Sequence, residues 1–324
     1  MALNEQEFSD LILLPGELQA VLKGVPGRGR ELVPVRHEDE AEVDSIRTAL
    51  GSEYYRSRGE MFRFRHDGRN YRVARYQDID LGETYFLRRL PLTVPDFSGL
   101  GLPDAVLDWL LSGDHQHGLV LFCGAQASGK TTTASSYTKA RLEMYGGHAI
   151  TYEIPVEMPL AGQHGEFGRC FQQELEDEAD LMRHIERSHR YGSPNIVYIG
   201  EIRSKYAASE VLRVALGSSE QLVVSTLHGL DIVTALERLI GWAREIDGGM
   251  AAHNLAQSLL AIVRLDLVSD GDRKALAMPE FLLVPFRERQ KGVRAKIRDG
   301  KLAALENDIT EQRNMALMNR LGEI

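Results

Sequence analysis

The sequence predicts an α/β protein in two parts: a small N-terminal α/β domain and a larger core that ends in helices. Three observations predict it. From about residue 118 onward, short apolar runs of strand type alternate with stretches of helical length, the pattern of a parallel sheet covered by helices. The octapeptide Gly124-Ala125-Gln126-Ala127-Ser128-Gly129-Lys130-Thr131 stands between one such run and one such helix and matches GxxxxGK[ST]. Residues before about Pro95 obey another rule, with side chains alternating at period two around a polar turn.

In the N-terminal part, residues 38–50 read as a charged helix. Met61-Phe62-Arg63-Phe64-Arg65 and Tyr71-Arg72-Val73-Ala74-Arg75-Tyr76 flank His66-Asp67-Gly68-Arg69 and read as a hairpin. Thr84-Tyr85-Phe86-Leu87-Arg88 is a further strand running into Pro91. The Pro- and Gly-containing stretch 91–103 is the natural linker, which divides the chain into 1–95, a linker at 96–103 and 104–324.

In the second part, Gly118-Leu119-Val120-Leu121-Phe122-Cys123 is a strand and 132–144 a helix. Strands come next at 148–152, 195–199 and 221–225, with helices at 178–190 and 205–216 between them. The helix at 231–246 has Asp231 as its N-cap and Ile232, Leu236, Leu239, Ile240 and Ala243 as its apolar stripe. Beyond Met250 the sequence reads mostly as helices, with one strand near 280–284.

At 324 residues and 43% hydrophobic content the chain can fill real cores. Its net charge of -9 argues against a general nucleic-acid binder, and no stable nucleic-acid binding is expected. The two cysteines, Cys123 and Cys170, form neither a disulfide framework nor zinc spacing, and the histidines offer no ligand constellation. No run approaches about 18 apolar residues, and Met1-Ala2-Leu3-Asn4-Glu5-Gln6-Glu7 lacks a basic n-region. A cytoplasmic protein is expected, one free to dock on a membrane complex.

The octapeptide carries the chemistry. Gly124 and Gly129 let the backbone turn its N–H groups, from Ala125, Gln126, Ala127 and Ser128 through to Thr132, toward a polyphosphate at a helix N-terminus. Lys130 can reach the β- and γ-phosphates of ATP, and the Thr131 hydroxyl can ligand Mg²⁺. Such a site also needs carboxylates at strand ends. Glu201 closes the strand through Ile199, and Glu157 comes after the strand through Tyr152. His228, at the end of Ser225-Thr226-Leu227-His228, is a candidate γ-phosphate sensor.

Taken together, the chain resembles the secretion ATPase superfamily of type II and type IV secretion and type IV pili, in particular its PilT-like retraction members. The Walker A box is 124–131. The Asp box is matched by Thr151-Tyr152-Glu153-Ile154-Pro155-Val156-Glu157, the Walker B box by Ile199-Gly200-Glu201-Ile202-Arg203 and the His box by Ser225-Thr226-Leu227-His228. The resemblance implies a PAS-like domain ahead of a RecA-like core. It assigns Glu157 as general base and puts Glu201 near Mg²⁺. It further implies a homo-oligomer, a hexameric ring at an inner-membrane pilus or secretion platform, in which Arg72 and Arg88, with Arg75 as a weaker candidate, reach a neighbour's nucleotide. Gly292-Val293-Arg294-Ala295-Lys296-Ile297-Arg298-Asp299-Gly300-Lys301 is similar to the retraction-motif segment.

Four departures stand against that pattern. Ile154 replaces the aspartate of the Asp box, Ser204 replaces the aspartate after the Walker B arginine, Asn195 replaces the aspartate after Pro194, and Gln126-Ala127 replaces Thr-Gly. The expectation is a divergent, slow ATPase. Its rivals are a conjugative type IV secretion ATPase, a nucleotide-gated scaffold with little hydrolysis, and a DNA translocase, the last disfavoured by the acidic balance.

Overall fold

The computed structural model describes the chain except residues 1–2, 16–18, 218–219, 271–272, 278 and 287–290. It divides into two compact units, Met1–Thr93 with Pro155–Pro159, and Val94–Ile154 with Leu160–Ile324.

The first unit is an antiparallel sheet of β1 (Asp10–Leu13), β2 (Val21–Lys23), β3 (Val33–Pro34), β4 (Met61–His66), β5 (Arg69–Asp78) and β6 (Gly82–Arg89), in the order β3-β2-β1-β6-β5-β4. The β4–β5 turn is Asp67-Gly68, with φ of 44° and 75°, the left-handed pair that matches strand twist. Helix α1 (Glu40–Leu50) buries Val43, Ile46 and Leu50 in one cluster with Leu11, Phe62, Phe64, Val73 and Leu87. The short helix α2 (Glu53–Arg56) comes next. The first three strands, four residues or fewer each, carry too short a period-two signal to be read from sequence.

The second unit is built on an eight-stranded sheet. Its elements in chain order are α3 (Asp104–Leu111), β7 (Gly118–Gly124), α4 (Lys130–Tyr145), β8 (Gly147–Glu153), β9 (Gly162–His164), β10 (Gly168–Glu174), α5 (Leu181–Gly192), β11 (Ile196–Ile202), α6 (Lys205–Leu216), β12 (Leu222–His228), α7 (Ile232–Asp247) and α8 (Ala251–Ser258). They continue as β13 (Leu259–Leu265), β14 (Leu267–Asp270), β15 (Arg273–Leu276), β16 (Glu280–Leu283), α9 (Lys291–Arg298) and α10 (Leu305–Leu317). Sheet order is β16-β13-β7-β12-β11-β8-β10-β9, parallel from β13 to β10 with antiparallel edges.

All seven residues of β7 are buried, as a central strand covered on both faces requires. Asp231 caps α7 by accepting from Thr234 N at 2.7 Å, and the predicted stripe is buried. The expectation of a single strand after Met250 is corrected: β13 adds a further parallel strand inside the sheet, and β14 and β15 form a separate hairpin. The run Leu259-Leu260-Ala261-Ile262-Val263 comes directly after α8 with no Gly or Pro between them, and a short apolar run does not by itself distinguish strand from buried helix.

Two side chains seal the sheet and its C-terminal cover. Buried Gln312, on α10, accepts from Leu283 N at 2.7 Å and donates to Leu283 O at 2.9 Å, standing in for a strand beyond β16. Arg294, on α9, donates to Val284 O at 2.6 Å and Leu259 O at 3.2 Å, and burial pulls its guanidinium down to about 10.

Candidate active site

At the end of β7, Gly124 has φ of 151°, and a Cβ there would lie 2.4 Å from Leu265 O and 2.5 Å from Ser128 Oγ. No other residue fits. Gly129 (φ 90°) is the N-cap from which α4 starts, so Lys130, Thr131 and Thr132 form its first turn, where backbone N–H groups have no acceptor within the helix and can meet an anion. Between the glycines, Ala127 also has positive φ, at 62°. Ser128 Oγ is buried and has no hydrogen-bond partner among the described residues.

Three strand ends and the helix bring four predicted residues together. Buried Lys130 extends its Nζ to Ala125 O at 2.7 Å and stands 3.4 Å from His228 Nδ1. His228 Nε2 lies 2.7 Å from Glu201 Oε1, and Arg203 grips the other oxygen of that carboxylate. A neutral imidazole satisfies both contacts, with Nδ1 accepting from the ammonium and Nε2–H donating to the carboxylate.

Glu201 owes its direction to a bulge. In the β11–β12 ladder Ile199 pairs with Ser225 and Glu201 with Thr226, leaving Gly200 as an extra residue that re-aims the side chains beyond it. Thr226 Oγ1 donates to Gly200 O at 2.8 Å and Ser225 Oγ to Ile199 O at 2.6 Å, pinning the irregular turn.

Sequence reasoning did not single out Arg238, which donates to His228 O at 2.9 Å and fixes the backbone that carries the imidazole. Ten residues separate the two, and no local pattern announces the contact. Glu153, by contrast, is buried, accepting from Thr151 Oγ1 at 2.6 Å and Gln172 Nε2 at 2.8 Å. Cys123 is inert: burial pushes its thiol up to about 12.

The remaining predicted residues lie in the first unit. Strand register places Arg63, Arg72 and Arg88 opposite one another across β4, β5 and β6, and Arg88 opposite Asp10 on β1. Like charges so placed repel unless neutralised. Glu157 forms an ion pair with Arg72, and Asp10 accepts from Arg88 Nε at 2.8 Å. Arg75 instead braces the fold, donating to Arg58 O at 2.9 Å.

Comparison with known proteins adds the lineage. The type II/IV secretion system protein family matches residues 62–315. The uncharacterized protein YggR of Escherichia coli strain K12 is 29% identical over 253 residues, 75% of this chain and 72% of YggR. The type IV pilus ATPase PilU of Pseudomonas aeruginosa is 30% identical over 200 residues, 61% of this chain and 50% of PilU, so this chain spans about half of that relative. The crystal structure of the pilus retraction motor PilT with bound ADP superposes with a TM-score of 0.74 at 25% identity, covering 95% of this chain and 87% of that one. With its family match spanning most of its length, and its phosphate loop, strand-end carboxylate and histidine joined in one site, the chain belongs to the type II/IV secretion system ATPases, P-loop enzymes that hydrolyse ATP.

Proposed function

We propose that the chain is a ring-forming, cytoplasmic motor ATPase acting at an inner-membrane pilus or secretion platform. The single observation that carries this reading is the line Lys130–His228–Glu201, which joins the phosphate loop after β7, across the end of β12, to the carboxylate near the end of β11. In it the first turn of α4 cradles the phosphates, Lys130 neutralises the β- and γ-phosphates, and His228 senses whether the γ-phosphate is there. The orphaned Ser128 hydroxyl fits an oxygen-rich ligand seated in the loop.

Thr131 and Glu201 are hard oxygen donors, and among the described residues no cluster of three or more His, Cys, Asp or Glu could hold a metal alone. That donor set fits Mg²⁺, which binds through one or two protein oxygens together with substrate phosphates. Bound there, Mg²⁺ supplies neutralisation of charge on the transferred phosphoryl group.

Glu157 is the proposed general base, and Arg72, which holds its carboxylate, must release it first. Arg72 and Arg88 are the proposed donors to a neighbouring subunit's nucleotide. The likeness to PilU and to the PilT motor supports a role in pilus retraction dynamics; conjugative secretion is the alternative that neighbouring genes would separate. A nucleotide-gated scaffold is favoured by one feature: Ile154 packs against the core where the Asp box carries its aspartate.

Steady-state phosphate release from purified protein tests the reading. Lys130→Ala is expected to abolish nucleotide binding with the fold intact, and Glu157→Gln to bind ATP while losing at least about a hundredfold in turnover. Normal turnover in Glu157→Gln removes it as the base. A wild type that binds ATP without releasing phosphate establishes the scaffold instead.

A further inference from the structure

We infer that Glu178 is a second acceptor for the Arg203 guanidinium, a positioning residue that takes Arg203 from Glu201 and so frees Glu201 to serve magnesium-bound nucleotide. The inference rests on the reading of Glu201 as the carboxylate facing the metal.

Both oxygens of Glu201 are engaged, one by His228 and the other by Arg203. A carboxylate held from both sides by cationic or N–H donors has little left to offer a hard cation or its waters. Of the two partners, His228 is tied to Lys130 and, through its backbone, to Arg238. Arg203 has no such tether among the described residues, and its side chain is 51% exposed, so it is the partner free to move.

Glu178 provides the destination. It lies in the turn before α5, and with Glu201 and Arg203 it lines a cavity of about 30 Å³ whose other walls include Tyr152, Ile154 and Leu181. A pocket of that size has room for about one water, so Glu178, Glu201 and Arg203 share one small space. Glu178 Oε2 is shut off from solvent and has no hydrogen-bond partner among the described residues. An acceptor left unpaired in this way is destabilising, a standing incentive to gain a donor. The five N–H groups of a guanidinium form the donor fork that can serve two carboxylates in turn.

The electrostatics agree with the geometry. Burial raises the Glu178 carboxyl above its ordinary range; a Ser204 hydrogen bond and the Arg203 charge pull it back, while Glu201 and Asp177 raise it further. Arg203 therefore stabilises charge on Glu178 as well as on Glu201. The two positions where the Asp and Walker B boxes lose an aspartate sit at this same place, Ile154 in the cavity wall and Ser204 as the hydrogen-bond partner.

Calorimetric titration of ADP with and without Mg²⁺ tests the handover without requiring turnover. In the wild type Mg²⁺ should tighten ADP binding. In Glu178→Gln, which offers Arg203 no charge, that tightening should shrink about tenfold while Mg²⁺-free affinity stays within about twofold. In Glu178→Gln/Arg203→Gln it should return to within about threefold of the wild type, because nothing then occupies the second oxygen of Glu201. A merely structural Glu178 would not be rescued by deleting the arginine. Should Glu178→Gln fail to fold, Glu178→Asp keeps the charge but withdraws the oxygens by one methylene, and predicts the same rescued loss. A folded Glu178 variant that keeps the full Mg²⁺ effect, or a double variant without rescue, overturns the inference alone. A wild type indifferent to Mg²⁺ overturns the metal reading and this inference with it.

Discussion

Ala127 is a non-glycine residue held at φ 62° inside the phosphate loop, where the family pattern carries glycine. The left-handed conformation costs an L-residue about 1–2 kcal/mol. Ala127→Gly is therefore expected to raise unfolding free energy by about 0.5–1 kcal/mol, the gain partly offset by the freer unfolded chain, as read by urea denaturation. His228 makes a sharper case. Its imidazole bridges an ammonium and a carboxylate, so His228→Ala should lower turnover about tenfold or more with ADP affinity little changed. A proportional loss of affinity would instead make it a binding residue. That Lys130 and Glu201 would come to one place was legible, because both stand beside the C-terminal ends of sheet strands. The orphaned oxygens of Ser128 and Glu178 were not, since whether a polar atom finds a partner depends on packing that no local pattern encodes.

Elements differ in how openly the sequence declares them. Strands β7, β8, β11 and β12 are apolar runs bounded by polar or Gly-containing segments, and α7 announces both its cap and its stripe. Asp231→Ala should cost about 1 kcal/mol, because Thr234 N and Thr234 Oγ1 both lose their acceptor, and thermal unfolding measures it. Strand β13 was hidden by running straight on from α8, and β9 and β10 by a Gly-rich stretch that reads as loop. The bulge at Gly200 was likewise invisible, since its register shift exists only against a partner strand. Gly200→Ala would bring a Cβ to 3.2 Å from Glu153 Cγ, disturbing the turn that aims Glu201. Turnover should fall more than stability in that variant, a comparison of phosphate release with melting temperature.

At the scale of the whole molecule, no helix among the described residues is long and apolar enough to cross a membrane. Both cysteines are buried, so a thiol reagent should find neither in the folded protein and both after denaturation. Ring formation is tested by mass in solution with and without a non-hydrolysable ATP analogue; a monomer under both conditions would remove the intersubunit role of Arg72 and Arg88. What such a ring can be made of is narrowed by Gln312. Its amide occupies the hydrogen-bonding groups of Leu283 that a further strand would need, and at the opposite edge β9 is only three residues long. Open-ended growth by strand addition is thereby discouraged at both borders. The eight-stranded sheet therefore leaves recognition between copies to other surfaces, and a contact made there can be loosened and remade without exposing a border of this sheet that would polymerise.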